Sequence, residues 1–181
     1  MELIDVLRSR RSVRSYTDQM PSDEDIAAIV DIAQHAPNAG KFHTTVVTDR
    51  AILDEMDEAN YQAMIASGSG FGFERASLPG YRPYYHAPVC IIFSTAADDH
   101  LGAVNAACAC TAGAYAATAL GLGSCYVMGP VISMQTVENL PAKLHLPEGY
   151  TCQCALLVGY TDDPERFAVA SSQEPADYLR G

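Results

Sequence analysis

The chain has 181 residues, about half of them apolar and fewer than a fifth charged, which describes one folded domain with a sizeable core rather than a disordered segment. Its 22 Asp and Glu outweigh 11 Lys and Arg, and the resulting net charge of −11 excludes two partners that need a broad basic face, nucleic acid and an anionic membrane surface. Met1-Glu2-Leu3-Ile4-Asp5 shows none of the charged-then-apolar order of a signal peptide.

Residues 2–9 read as a short amphipathic helix with Leu3, Ile4 and Leu7 on one side. It delivers Arg8, Arg10, Arg11 and Arg14, four cations within seven residues of an acidic protein. With Ser12 and Ser15 interleaved, this knot suits one compact anion. Guanidinium groups match phosphate oxygens two at a time, and hydroxyls fill the remaining acceptors. A solvated basic turn is the plainer alternative.

Met20-Pro21 breaks the chain, and Ser22 with Asp25 three residues on resembles a capping box. Ile26, Ile29, Val30 and Ala33 then recur at helical spacing over 23–35 until Pro37. Pro37-Asn38-Ala39-Gly40-Lys41-Phe42-His43 is a tight loop whose small residues let backbone approach a ligand. Residues 44–48 suit a strand, and 51–67 a helix. Residues 68–88 carry repeated Gly and Pro and read as one long irregular loop. Its aromatics, Phe71, Phe73, Tyr81, Tyr84 and Tyr85, favour a mobile cover, with Tyr84 and Tyr85 as substrate contacts. The alternative for both tyrosines is packing under the next strand.

Val89–Ser94 is a continuous apolar strand. Residues 101–120 are small or apolar all round, so this helix needs cover on every side. Asn105, Thr111 and Thr118 interrupt it and Asp98 and Asp99 precede it, which argues against a membrane span. A symmetric dimer interface is the preferred cover, with Ala109 and Ala116 as candidate contacts. Residues 124–128 and 151–159 read as strands, and Ser133 as the cap of a helix carrying Val137 and Leu140. The stretch from Asp162 to Gly181 is polar and weakly patterned.

The six cysteines sit in apolar runs such as Val89-Cys90-Ile91-Ile92, where Cys behaves as a small hydrophobe. The pairs Cys108/Cys110 and Cys152/Cys154 are C-x-C rather than C-x-x-C, the five histidines lack ligand spacing, and no metal is expected. Free thiols fit a reducing cytoplasm. Gly121-Leu122-Gly123 follows a helix and lacks the third glycine of a dinucleotide fingerprint. No G-x-S-x-G is present. An anion site, a small-residue loop and an aromatic cover without an evident acid, base or nucleophile suit chemistry carried by a bound cofactor.

In order along nearly the whole chain, these features resemble the FMN-dependent nitroreductase family. The resemblance rests on Arg10-Arg11-Ser12-Val13-Arg14 with Tyr16, on Ala36-Pro37-Asn38-Ala39-Gly40, and on Ala87-Pro88-Val89-Cys90-Ile91-Ile92. It continues through Leu120-Gly121-Leu122-Gly123-Ser124-Cys125, Pro147 to Tyr150, and Leu156 to Tyr160. It implies an α+β fold, a central mixed or antiparallel sheet flanked by helices, in an intertwined homodimer with FMN at each subunit interface. It further implies that Arg10, Arg11, Ser12 and Arg14 hold the flavin phosphate and ribityl chain. Pro37, Asn38, Ala39 and Lys41 would face the flavin from the other subunit, and Val127, Met128 and Gly129 would present main chain near its N5. Arg166 is the implied tail cation near the phosphate, and Phe42, Tyr84 and Tyr85 border the substrate. The implied activity passes reducing equivalents from NAD(P)H to an electron-poor small molecule in ping-pong order. A flavin-storage or sensing protein, and a plain dimeric anion-binding module, are the rivals.

Overall fold

The structure is a computed structural model, and it describes residues 2–165 and 175–179. Arg166 lies outside the described residues. Chain order runs α1 (Leu3–Ser9), α2 (Asp23–Gln34), β1 (His43–Val47), α3 (Arg50–Ala66), α4 (Gly70–Ala76) and β2 (Val89–Ala96). It continues with α5 (Gly102–Ala119), β3 (Gly123–Val127), α6 (Gly129–Thr136), α7 (Leu140–Lys143) and β4 (Tyr150–Gly159).

The four strands form one sheet in the order β1-β2-β4-β3, and every neighbouring pair is antiparallel. The mixed alternative therefore gives way to an antiparallel sheet, with one isolated parallel bridge, Ser12 to Ser124, beside it. β2 and β4 are central and carry apolar residues on both faces, which is why β2 reads as a run rather than an alternation. Val89, Ile91 and Phe93 of β2, with Leu156 and Val158 of β4, pack against α2 and α5. Cys90 and Ile92, with Cys152, Ala155 and Leu157, face α3, α6 and α7. The register slips between Phe93 and Ser94, where Phe93 opposes Cys154 and Ser94 opposes Cys152. This bulge leaves Gln153 unopposed and puts Cys152 on the face that even-odd alternation denies it.

Capping fixes where the helices begin. Ser22 accepts from the Asp25 amide at 3.1 Å, and the Asp49 carboxylate accepts from Ala51 and Ile52. Two expectations change. The stretch 68–88 contains α4, hidden in the sequence by Gly70 and Gly72, and it is tied down rather than loose. Asp57 of α3 accepts from the Tyr84 amide at 2.7 Å and pairs with Arg82, which also reaches Glu58 at 2.8 Å. α1, in turn, leaves its apolar residues outside: Leu3 is 71% and Ile4 54% exposed, while Val6 and Ser9 are the buried positions.

α5 buries Ala106, Ala109, Gly113 and Ala117 against the sheet and α2. A Cβ at Gly113 would stand 3.3 Å from Leu156 Cδ2, so the small residue sets how closely this helix lies on the sheet. Ala109 is fully buried within the chain itself, which corrects its assignment as an interface contact. The opposite side of the helix stays open, with Val104 59% exposed.

Candidate functional site

The segment 10–17 runs beside β3, held by the Val13 amide on the Ser124 carbonyl at 2.8 Å and the Thr17 amide on the Tyr160 carbonyl at 2.9 Å. Val13 is buried, and the segment passes between two hollows. Arg10 and Ser12 line a cavity of about 360 Å³ together with Thr111, Ala114 and Tyr115 of α5 and Tyr126 of β3. Arg14 lines a second cavity of about 400 Å³ with Tyr16, Arg75, Tyr81, Tyr85 and His86. The cluster is thus divided between two hollows around one strand. Cys125 on that strand senses both: burial pushes its thiol up, while Arg14, Ser12, Arg10 and Arg75 pull it down.

Arg11 lines neither cavity. Its guanidinium donates to the Glu165 carbonyl at 3.1 Å and meets the Glu165 carboxylate at 3.4 Å, so its charge is already matched. Arg14 makes only a 3.4 Å contact to the Ser12 carbonyl, and among the described residues no carboxylate lies within ion-pair reach of Arg10 or Arg14. At the base of the segment the Ser124 hydroxyl is buried without a hydrogen-bond partner. A buried hydroxyl left this way costs about 1–3 kcal/mol.

The loop at 37–42 is placed elsewhere. The Asn105 side chain of α5 accepts from the Ala39 amide at 3.0 Å, and Asn38 donates to the Ala36 carbonyl at 3.2 Å. Lys41 and Phe42 border a different cavity of about 360 Å³ with Gln34, His43, Pro147 and Tyr150, and Phe42 stacks edge-on against Phe93 at 6.0 Å. Within one chain, Pro37, Asn38, Ala39 and Lys41 are therefore not brought to the arginines. Pro37 instead borders an apolar groove of about 620 Å³ along the open side of α5, with Val104, Ala107, Thr111 and Tyr115. Thr111 and Tyr115 line both this groove and the Arg10 cavity, so the two are neighbours across one edge of the helix.

Val127, Met128 and Gly129 form the turn from β3 into α6, on the same strand as Cys125 and Tyr126. Met128 is 49% exposed. Gly129 admits no side chain, because a Cβ there would stand 2.3 Å from Tyr84 Cε1. Tyr84 is corrected from a substrate contact to a core residue: it is 1% exposed, and its hydroxyl lies 3.4 Å from Ser133 Oγ and accepts from Asn60 at 3.4 Å. Tyr85 does line the Arg14 cavity. Arg75 and Tyr126 escaped the sequence reading. Scarcity of cations was the available signal for Arg75, whereas Tyr126 is one aromatic in a half-buried strand.

A model of the nitroreductase family matches residues 7–160. The chain belongs to the nitroreductase family. A protein of Archaeoglobus fulgidus, provisionally named an NADH dehydrogenase/NAD(P)H nitroreductase, is 27% identical over 98% of this chain and 96% of its own. The crystal structure of a Bacteroides fragilis nitroreductase with bound FMN superposes with a TM-score of 0.79 at 25% identity, covering 99% of this chain and 95% of that one. A Desulfitobacterium hafniense nitroreductase with bound FMN gives 0.78 at 26% identity over 99% and 95%. Placed in this nitroreductase family, the two-cavity arrangement sits on an antiparallel sheet flanked by helices, and no helix among the described residues is long and apolar enough to cross a membrane.

Proposed function

We propose that this nitroreductase-family chain is an FMN-dependent oxidoreductase that takes reducing equivalents from NAD(P)H and delivers them to an electron-poor acceptor such as a nitroaromatic or quinone. The observation that carries this reading is the Arg10–Ser12–Arg14 segment beside β3, with two cations that no carboxylate among the described residues matches. The residues present fit the group. Arg10, Ser12 and Arg14 would hold phosphate and ribityl oxygens, Val127 to Gly129 would border the ring, and Arg166 would add charge from the tail. Bound FMN would supply two-electron redox chemistry between the nicotinamide and the acceptor. The protein's part is to bind, orient and exclude water: Tyr115 and Tyr126 wall the Arg10 cavity, and cations beside it favour the anionic form of a reduced ring.

The same reading includes a homodimer. A second copy laid on the open side of α5 would cover the apolar groove, Leu3 and Ile4, and would bring its own 37–41 loop toward the Arg10 cavity across the shared edge at Thr111 and Tyr115. Six free thiols suit the reducing cytoplasm in which we place it.

An anaerobic titration tests the reading. The purified protein is expected to be yellow, or to become so with FMN, and to bleach with NADH or NADPH. A protein that takes up no FMN would overturn it. Uptake without bleaching by either nucleotide would leave flavin storage or sensing as the function instead.

A further inference from the structure

The Arg14 cavity has a wall that the flavin reading does not use. Arg75, from the last turn of α4, has its guanidinium 5.4 Å from the Tyr81 ring and 5.8 Å from the Phe71 ring. No carboxylate lies within ion-pair reach of it among the described residues, whereas Arg82 in the same wall is matched by Asp57 and Glu58. Hydrogen bonding to the Tyr85 and Tyr81 side chains engages part of this guanidinium, and its remaining N–H groups can donate in the same plane. The nearby Tyr85 and Tyr81 hold its pKa above the ordinary arginine value. Tyr81 and Tyr85 stand edge to face, 5.8 Å apart, and burial followed by its Tyr85 neighbour pushes the Tyr81 phenol up to about 12.

Backbone strain fixes this wall. Tyr85 and His86 are consecutive non-glycine residues in the left-handed region, with φ of 52° and 58°. Both positions are unfavourable for residues with a Cβ, and the pair is retained between the Asp57 clamp on the Tyr84 amide and the Ala87 amide on the Tyr84 carbonyl. The strain turns the Tyr85 ring to the cavity instead of letting the chain run straight into β2. The result is a hollow of about 400 Å³ lined by two unmatched guanidiniums and three tyrosines, with no acidic residue in its lining. In a protein of net charge −11 such a place selects by charge.

We propose that this cavity is a recognition site for planar aromatic carboxylates, with Arg75 matching the carboxylate and Tyr81 and Tyr85 flanking the ring. As a binding site it stands on its own. As the acceptor site of the enzyme it rests on the function proposed above, and it then names the acceptor class. Flat walls and a volume beyond that of a bare oxyanion favour an aromatic acid over inorganic phosphate.

Calorimetric titration of the purified protein with benzoate, and separately with inorganic phosphate, reads binding without turnover. Benzoate is expected to bind, and Arg75→Gln to weaken it on the order of tenfold to a hundredfold. Arg75→Lys, which keeps the charge but not the fork, should recover only part of that loss. In turnover, Arg75→Gln should raise the KM for 4-nitrobenzoate relative to that for nitrobenzene. Melting curves of both variants establish that they fold. Benzoate affinity indifferent to Arg75, phosphate binding in place of benzoate, or an equal loss of FMN affinity in Arg75→Gln would each overturn the proposal. Arg75-dependent benzoate binding in a protein that takes up no FMN would keep the site and reject the enzyme.

Discussion

The two sides of α5 are built from the same small residues and live in different surroundings. The inner side, with Ala106, Ala109, Gly113 and Ala117, is closed by this chain's own sheet and α2. The outer side, with Val104 and Ala107, faces an open apolar groove. A helix without amphipathic contrast says that it needs cover everywhere, but not whether its own chain or another supplies it. The narrow edge between the sides, at Thr111, Ala114 and Tyr115, borders the Arg10 cavity. On the function proposed above, fold, assembly and ligand binding fall to different bearings around one cylinder.

Substitutions can break that assignment. Leu156→Ala removes the fully buried side chain against which Gly113 lies, and should cost about 2–5 kcal/mol in denaturant unfolding. At the edge, Arg10→Ala should weaken FMN by roughly tenfold to a hundredfold in a fluorescence titration, since a charge-assisted contact contributes about 1.5–3 kcal/mol. Back on the inner side, Ala109→Leu overfills a closed contact and should cost about 1–3 kcal/mol, read as a lower melting temperature in the single chain. Smallest for the fold is Val104→Glu on the outer side, within about 0.5 kcal/mol for the isolated subunit, yet it should abolish self-association in sedimentation. If Val104→Glu unfolds the protein while Ala109→Leu is tolerated, the two sides have been exchanged. A wild type that sediments as a monomer at micromolar concentration would remove the outer side's role altogether.

Strands and long helices were legible because their signals are local. Val89–Ser94 reads as buried on both faces from its composition alone, and Ser22 marks the start of α2. α4 was not legible, since Gly70 and Gly72 lower helix propensity and only packing on α3 offsets them. Arg10, Ser12 and Arg14 stood out by charge in an acidic chain. What each arginine faces did not, because that depends on the distant elements packed beside the segment and on Glu165, 154 positions away from Arg11. Tyr84 and Tyr85 are neighbours of one residue type, and only the left-handed backbone at Tyr85 sends one to the core and the other to a cavity.

The bond between Val13 and Ser124, and that between Thr17 and Tyr160, carry a consequence for biogenesis. The arginine segment is made before the strand that it lies along and before the residue that anchors its far end. Until residue 160 has left the exit tunnel, Arg10, Ser12 and Arg14 have nothing to be arranged against. Nascent chains therefore carry the cations before the pocket that arranges them is complete.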